Sequence, residues 1–241
     1  MDLDGWRRRV VTAQSGSPAV LWDVDGTLLA PAGQVAELFL DAVELVCERR
    51  PIPDDVDLGG RMDPEIASLL VRSAGGRQSQ VATVISEFTR LADVNSTLVA
   101  ASIHPLDGVL EVVRGLQQRG VVQTVLTGNI ETVARLKLDA AGLSAHLDAD
   151  LGGFGDSAPH RVGAALVALQ HLLDSGWPGG ARQCWIVGDT PRDAACAHEL
   201  GISCALVATG RFSAAALGAC GADLVLDDLT DGQELLRRIV G

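Results

Sequence analysis

Lysine is almost missing from this chain: Lys137 is the only one among 241 residues. The rest of the positive side-chain charge is arginine. A cationic catalytic group is therefore expected to be an arginine, unless Lys137 or a histidine serves. Positive charge is scarce overall, with 19 Lys and Arg against 31 Asp and Glu, a net charge of −12. That balance argues against nucleic-acid backbones and anionic membranes as main partners. It says little against a small phosphorylated ligand, for which only the local field counts. Cys47, Cys184, Cys196, Cys204 and Cys220 are odd in number and lack C-x-x-C spacing. This argues against a disulfide framework or a zinc site and favours buried, reduced thiols in a cytoplasmic protein. No run of about 18 apolar residues exists, so no membrane span is expected. Arg7, Arg8 and Arg9 precede no apolar core of signal-peptide length, so residues 1–18 read as a solvated lead-in.

What is present is a globular balance, 47% hydrophobic and 21% charged. The length suits one domain, or one domain carrying an insert. The stretch Ala19-Val20-Leu21-Trp22-Asp23-Val24-Asp25-Gly26-Thr27 organises the rest. Its apolar run reads as a buried strand that ends at a Gly-Thr turn. Extended backbone puts Asp23 and Asp25 on one side. Two carboxylates held so close are costly unless something positive lies between them. A hard divalent cation such as Mg²⁺ is the simplest answer.

From about 31 to 103 the pattern is helical throughout. Apolar residues at Val35, Leu38, Phe39, Ala42, Val43 and Val46 mark the first helix, expected over 34–50. Asp63-Pro64 reads as an N-cap followed by the first helical position. Beyond Pro105, strands and helices alternate. Val121–Leu126 and Cys184–Gly188 are the strong strands, and 147–151, 204–208 and 224–226 are weaker ones. Such alternation predicts a parallel sheet with helices on both faces, with ligands at the carboxyl ends of strands. Asp23, Thr127 and Asp189 all fall at such ends.

Taken in order, Asp23-Val24-Asp25-Gly26-Thr27, Thr127 after a strand, and Gly188-Asp189-Thr190-Pro191-Arg192-Asp193 resemble the haloacid dehalogenase superfamily. The resemblance runs from about residue 19 to the C-terminus. It is to phosphoglycolate-phosphatase-like members, with a helical cap inserted after the first motif. It implies an α/β fold: a Rossmann-like parallel-sheet core over 19–30 and 104–241, with a small all-helical cap over 31–103. It implies that Asp23 is the nucleophile and Asp25 the general acid, then base. Thr127, with the amides of Gly128 and Asn129, would hold phosphoryl oxygens. Asp189, the Asp23 carboxylate and the Asp25 carbonyl would bind Mg²⁺, and Asp193 would ligate directly or through water. The family usually supplies a lysine as the phosphoryl-site cation. Here Arg161, at a helix start, resembles the arginine form, whereas Lys137 is expected to face solvent. His160 is expected to cap or to be solvated. In the cap, Gly60-Arg61-Met62-Asp63 resembles a Gly-x-Thr-Asp loop with Met62 in place of Thr. Arg61 would face a substrate carboxylate or phosphate, or else solvent. Thr209-Gly210-Arg211-Phe212 reads as structural.

The resemblance implies a Mg²⁺-dependent phosphomonoester hydrolase acting on a small phosphorylated metabolite. Asp25 favours ester chemistry over dehalogenation, since a halide leaving group needs no proton. A sugar-phosphate mutase and a non-catalytic binding protein on the same fold stay open as alternatives. The oligomeric state is not legible.

Overall fold

The computed structural model describes residues 2, 3, 16–52 and 59–241. The arginine triplet of the lead-in, and residues 53–55 of the 51–55 stretch that reads as the end of the first helix, lie outside the described residues. Five parallel strands form one sheet in the order β2-β1-β3-β4-β5. They are β1 Ala19–Trp22, β2 Val122–Val125, β3 Cys184–Gly188, β4 Ser203–Val207 and β5 Leu224–Leu226. The α/β class with helices on both faces is as the alternation requires.

Two-sided burial explains why β1 reads as an unbroken apolar run rather than an alternating one. Val20 and Trp22 join one apolar cluster, whereas Ala19 and Leu21 join the other. The first cluster takes in helices α1 Gly33–Cys47, α2 Asp63–Ser73, α3 Val81–Val94, α4 Ser96–Ser102, α5 Val109–Gln118 and α6 Glu131–Ala140. It also holds residues of the C-terminal helix, α10 Gln233–Val240. The second holds α7 Arg161–Asp174, α8 Pro191–Leu200 and the short α9 Ala214–Gly218. Each large side chain so buried contributes about 1.5–3 kcal/mol. The polar Gln123 on β2 is buried too, but satisfied. It accepts from Trp22 Nε1 at 3.2 Å and donates to the Val113 carbonyl at 2.9 Å.

Helices α1 to α4 fill the stretch 31–103, and no strand occurs among its described residues. Phe39 of α1 and Phe88 of α3 stack with centroids 4.2 Å apart. The first helix ends at Cys47, short of the expected 50, where Glu48 turns into the left-handed region.

Two expectations fail locally. Residues 147–151 are not a strand; Ala149–Leu151 is a 3-10 turn. The Asp148 carboxylate accepts the Asp150 N–H at 3.1 Å, and this side-chain turn interrupts the pairing with β2 between Asp148 and Gly153. Asp63 is not the N-cap of α2. Met62 takes that position, and Asp63 is the first helical residue. Its carboxylate instead accepts the Ile130 N–H at 2.8 Å, across to the approach of α6.

Strand register is what builds the site. Trp22 pairs with both Val125 and Val187. The Asp23 N–H donates to the Val187 carbonyl, and the Leu126 N–H to the Trp22 carbonyl, each at 2.8 Å. The residues just past β1, β2 and β3 therefore emerge at one level, where the strand order switches direction between β1 and its two neighbours.

Candidate active site

Asp23, Thr127 and Asp189 meet at this rim, on a cavity of about 480 Å³. Asp25, Gly128, Asn129 and Arg61 line it as well. All three rim residues are buried. Gly26 takes a φ of +85°, and a Cβ there would strike the Asp189 carboxylate. The Gly-Thr turn is thus shaped around that acid, and Thr27 Oγ1 lies 3.4 Å from Asp189 Oδ1.

One oxygen each from Asp23, Asp189 and Asp193 falls within 4.8 Å of the others. Burial raises the Asp23 carboxyl to about 6, against the pull of Arg161. Burial, then the charges of Asp23 and Asp193, raise Asp189 to about 8. Crowded, desolvated carboxylates of this kind are a donor set suited to a hard divalent cation.

Arg161 opens α7 and is buried. Its guanidinium reaches Asp23 Oδ1 at 3.1 Å, contacts Asp193 Oδ1 more closely still, and donates to the Leu126 carbonyl at 3.2 Å. Burial alone would lower its pKa, but the carboxylates of Asp193 and Asp23 more than offset that and raise it. Nε and Nη1 have no hydrogen-bond partner among the described residues. Asp193 is fully engaged: its second oxygen accepts the Thr190 N–H at 3.0 Å and the Thr190 hydroxyl at 2.7 Å. That is a capping box at the start of α8. His160 caps α7 through Nδ1, which accepts the Gly163 N–H at 2.9 Å.

Lys137 corrects the sequence reading. It does not face solvent; it is 3% exposed. It shares the buried stripe of α6 with Val133, Ala134 and Leu138, so its stem lies in the core. The ammonium contacts both oxygens of Asp25, at 2.6 and 2.8 Å, and Asn129 Oδ1 at 2.8 Å. Asn129 in turn donates to Asp25 Oδ2 at 2.7 Å and to Thr127 Oγ1 at 2.8 Å. Thr127, Asn129, Asp25 and Lys137 thus form one connected polar network. Thr127 Oγ1 also accepts the Asn129 N–H at 3.2 Å.

The loop at 59–63 lies against the turn after β2. Asp63 N–H donates to the Gly128 carbonyl at 2.7 Å. A Cβ on Gly128 would collide with the Arg61 carbonyl, so only glycine allows this approach. The Arg61 side chain pairs with Glu65. Arg192 donates to the Gly59 carbonyl at 2.8 Å. On the opposite wall, the Thr209 hydroxyl donates to the Gly26 carbonyl at 2.5 Å.

Sequence reasoning missed Lys137 as a site residue, and it read Asp63 within the 60–63 loop without its bond to Ile130. The one signal for Lys137 was its place, three residues past Ala134 and four past Val133, on an apolar stripe. For the Asp63–Ile130 bond no local signal existed, because the two residues are 67 positions apart.

A parallel α/β sheet with this rim defines the class. The model of haloacid dehalogenase-like hydrolases matches residues 20–198, and the chain belongs to that family. A phosphoglycolate phosphatase of Caulobacter vibrioides is 27% identical over 224 residues, covering 88% of this chain and 87% of the relative. One of Rhodospirillum rubrum is 30% identical over 219 residues, covering 87% of each. Among solved structures, CbbY from Rhodobacter sphaeroides in complex with phosphate matches with a TM-score of 0.71. That match has 17% identity and covers 89% of this chain and 96% of the other. A β-phosphoglucomutase candidate from Thermotoga maritima matches with a TM-score of 0.60, at 17% identity, over 92% and 99%. These two structural likenesses carry the fold alone. No helix among the described residues is long and apolar enough to cross a membrane.

Proposed function

We propose that this hydrolase is a Mg²⁺-dependent phosphatase for small phosphorylated metabolites, working through an aspartyl-phosphate on Asp23. The observation that carries the reading is the meeting of Asp23, Asp25, Thr127 and Asp189 at one rim, each acid beside its own buried cation or capable of sharing a metal. The two phosphoglycolate phosphatases above support the reaction class.

An Asp23 oxygen attacks phosphorus, and the bond to the leaving alcohol oxygen breaks. Asp25 gives that oxygen its proton. A water then attacks the same phosphorus, Asp25 takes the water's proton, and the Asp23–phosphorus bond breaks to release phosphate. Thr127 and the amides of Gly128 and Asn129 hold the phosphoryl oxygens. Arg161, beside Asp23, offsets the repulsion between carboxylate and phosphate dianion. Lys137 and Asn129 hold Asp25 in place. Asp23, Asp189 and the Asp25 carbonyl would hold Mg²⁺, which when bound supplies further charge neutralisation at the phosphoryl group. Asp193, with both oxygens engaged, acts by orienting Arg161. Residues 31–103 act as a cap over the core of 19–30 and 104–241, excluding bulk water.

The test is release of inorganic phosphate from a panel of phosphorylated metabolites, with Mg²⁺ and with chelator. Turnover with Mg²⁺ and none with chelator is expected; no release from any ester would end the reading.

A further inference from the structure

A second cavity, of about 370 Å³, opens beside the first and shares Asp25, Asp63, Ile66 and Asn129 with it. Most of its walls come from the helical block. Val35, Phe39, Leu70 and Phe88 are buried side chains facing it, and Ile66 and Leu40 are half-buried. The charged groups among its described lining residues are Asp25, Asp63 and Lys137. Lys137 is already bound to both Asp25 oxygens. Burial raises the Asp63 carboxyl to about 7. Arg61 lines the first cavity and not this one.

We propose that this chamber receives the leaving group of the substrate, and that the leaving group is apolar: an alkyl or aryl alcohol rather than a hydroxy acid or a sugar. The proposal rests on the phosphatase reading and deepens it. Three observations carry it. The chamber adjoins the phosphoryl site on the side of Asp25, the group that protonates the leaving oxygen. The only cation among its described walls is spoken for, so a substrate carboxylate would enter facing Asp25 and Asp63 with none of those walls to neutralise it. Apart from Asn129, whose amide is engaged with Asp25, Thr127 and Lys137, its remaining described walls are apolar, which reward each buried methylene and offer sugar hydroxyls few free partners. A mostly apolar pocket with a few polar groups at one end is how small-molecule sites fix orientation.

The experiment compares non-hydrolysable alkylphosphonates with Mg²⁺ by equilibrium titration, alongside turnover of acetyl phosphate, methyl phosphate, n-hexyl phosphate and 2-phosphoglycolate. Each buried methylene is worth up to about fourfold in affinity. Hexylphosphonate is expected to bind at least about tenfold more tightly than methylphosphonate. The kcat/KM for hexyl phosphate should exceed that for phosphoglycolate by a similar factor. Ala36, exposed at the chamber rim, offers a blocking variant: Ala36→Trp should lower the hexyl-to-methyl ratio at least about tenfold. A flat alkyl series, or phosphoglycolate as the best substrate while acetyl phosphate is turned over, overturns the chamber proposal alone. No turnover of any of these phosphate compounds overturns the phosphatase reading as well.

Discussion

Lys137 and Asp25 are 112 positions apart, yet the lysine nitrogen sits 2.6 and 2.8 Å from the two carboxylate oxygens. The only lysine of the chain is thus spent on Asp25, the aspartate proposed above to transfer the proton, while Arg161 attends Asp23. Two cations divide two neighbouring carboxylates between them. Lys137→Met keeps the buried stem and removes the charge. It should lower kcat at least about tenfold for alkyl phosphates, because Asp25 loses the partner that positions it. The loss should be smaller for p-nitrophenyl phosphate, whose leaving group needs little protonation. Steady-state rates on both esters check this; an equal loss on both would assign Lys137 a structural role instead.

Asp23→Asn should fold and have no turnover. Asp25→Ala should lose about two to four orders of magnitude with an alkyl ester, and less with p-nitrophenyl phosphate. Circular dichroism and single-turnover kinetics separate folding from chemistry here. Full activity in Asp23→Asn would remove it as the nucleophile.

Arg161→Ala should abolish turnover and destabilise the fold by about 3–5 kcal/mol. It leaves the buried Asp193 and Asp23 carboxylates uncompensated. A divalent cation should restore part of the stability but not the activity. Denaturant titration with and without Mg²⁺ measures this. A neutral effect on stability would mean that Asp193 and Asp23 are not charged together.

Asp63 predicts a pH effect. Burial raises its carboxyl to about 7, against the Ile130 N–H and the Lys137 charge, which favour the anion. A carboxyl with a folded pKa above its unfolded value keeps its proton preferentially when folded. Its contribution to stability therefore falls as pH rises from about 4 to about 7 and is flat above that. Asp63→Asn should gain stability relative to the native chain across that window. Melting temperatures of both proteins from pH 4.5 to 8 test the difference; parallel curves would refute it.

The strand ends were legible because each motif is local. Asp23, Thr127 and Asp189 each follow a short apolar run, and the parallel topology then brings them level. The helical block was legible for the same reason, through the spacing of Val35, Leu38, Phe39, Ala42 and Val43. Lys137 was not, because its burial is set by the partner it reaches across the fold. A lysine on a helix is ordinarily solvated, and only the anion at Asp25 reverses that default. Asp63 was assigned to its own helix because capping is read locally. In the folded chain the Ile130 N–H, far away in sequence, took the carboxylate. The strand expected at 147–151 is interrupted where the Asp148 side chain accepts the Asp150 N–H and turns the chain, although Asp148 and Gly153 still donate to the Gln123 and Val125 carbonyls of β2.

The absence of a side chain at Gly128 has a kinetic meaning. It lets the 59–63 loop bolt onto the turn after β2 through two bonds, Asp63 N–H to the Gly128 carbonyl and Ile130 N–H to Asp63. Both must part together for the loop to lift. At about 0.5–1.5 kcal/mol each, they favour the shut arrangement by about five- to 150-fold. On the cap reading proposed above, an empty molecule would spend most of its time shut, and arriving ligands would wait for rare openings. A ligand once inside would be held longer by the same bolt, so that slow capture is exchanged for long residence.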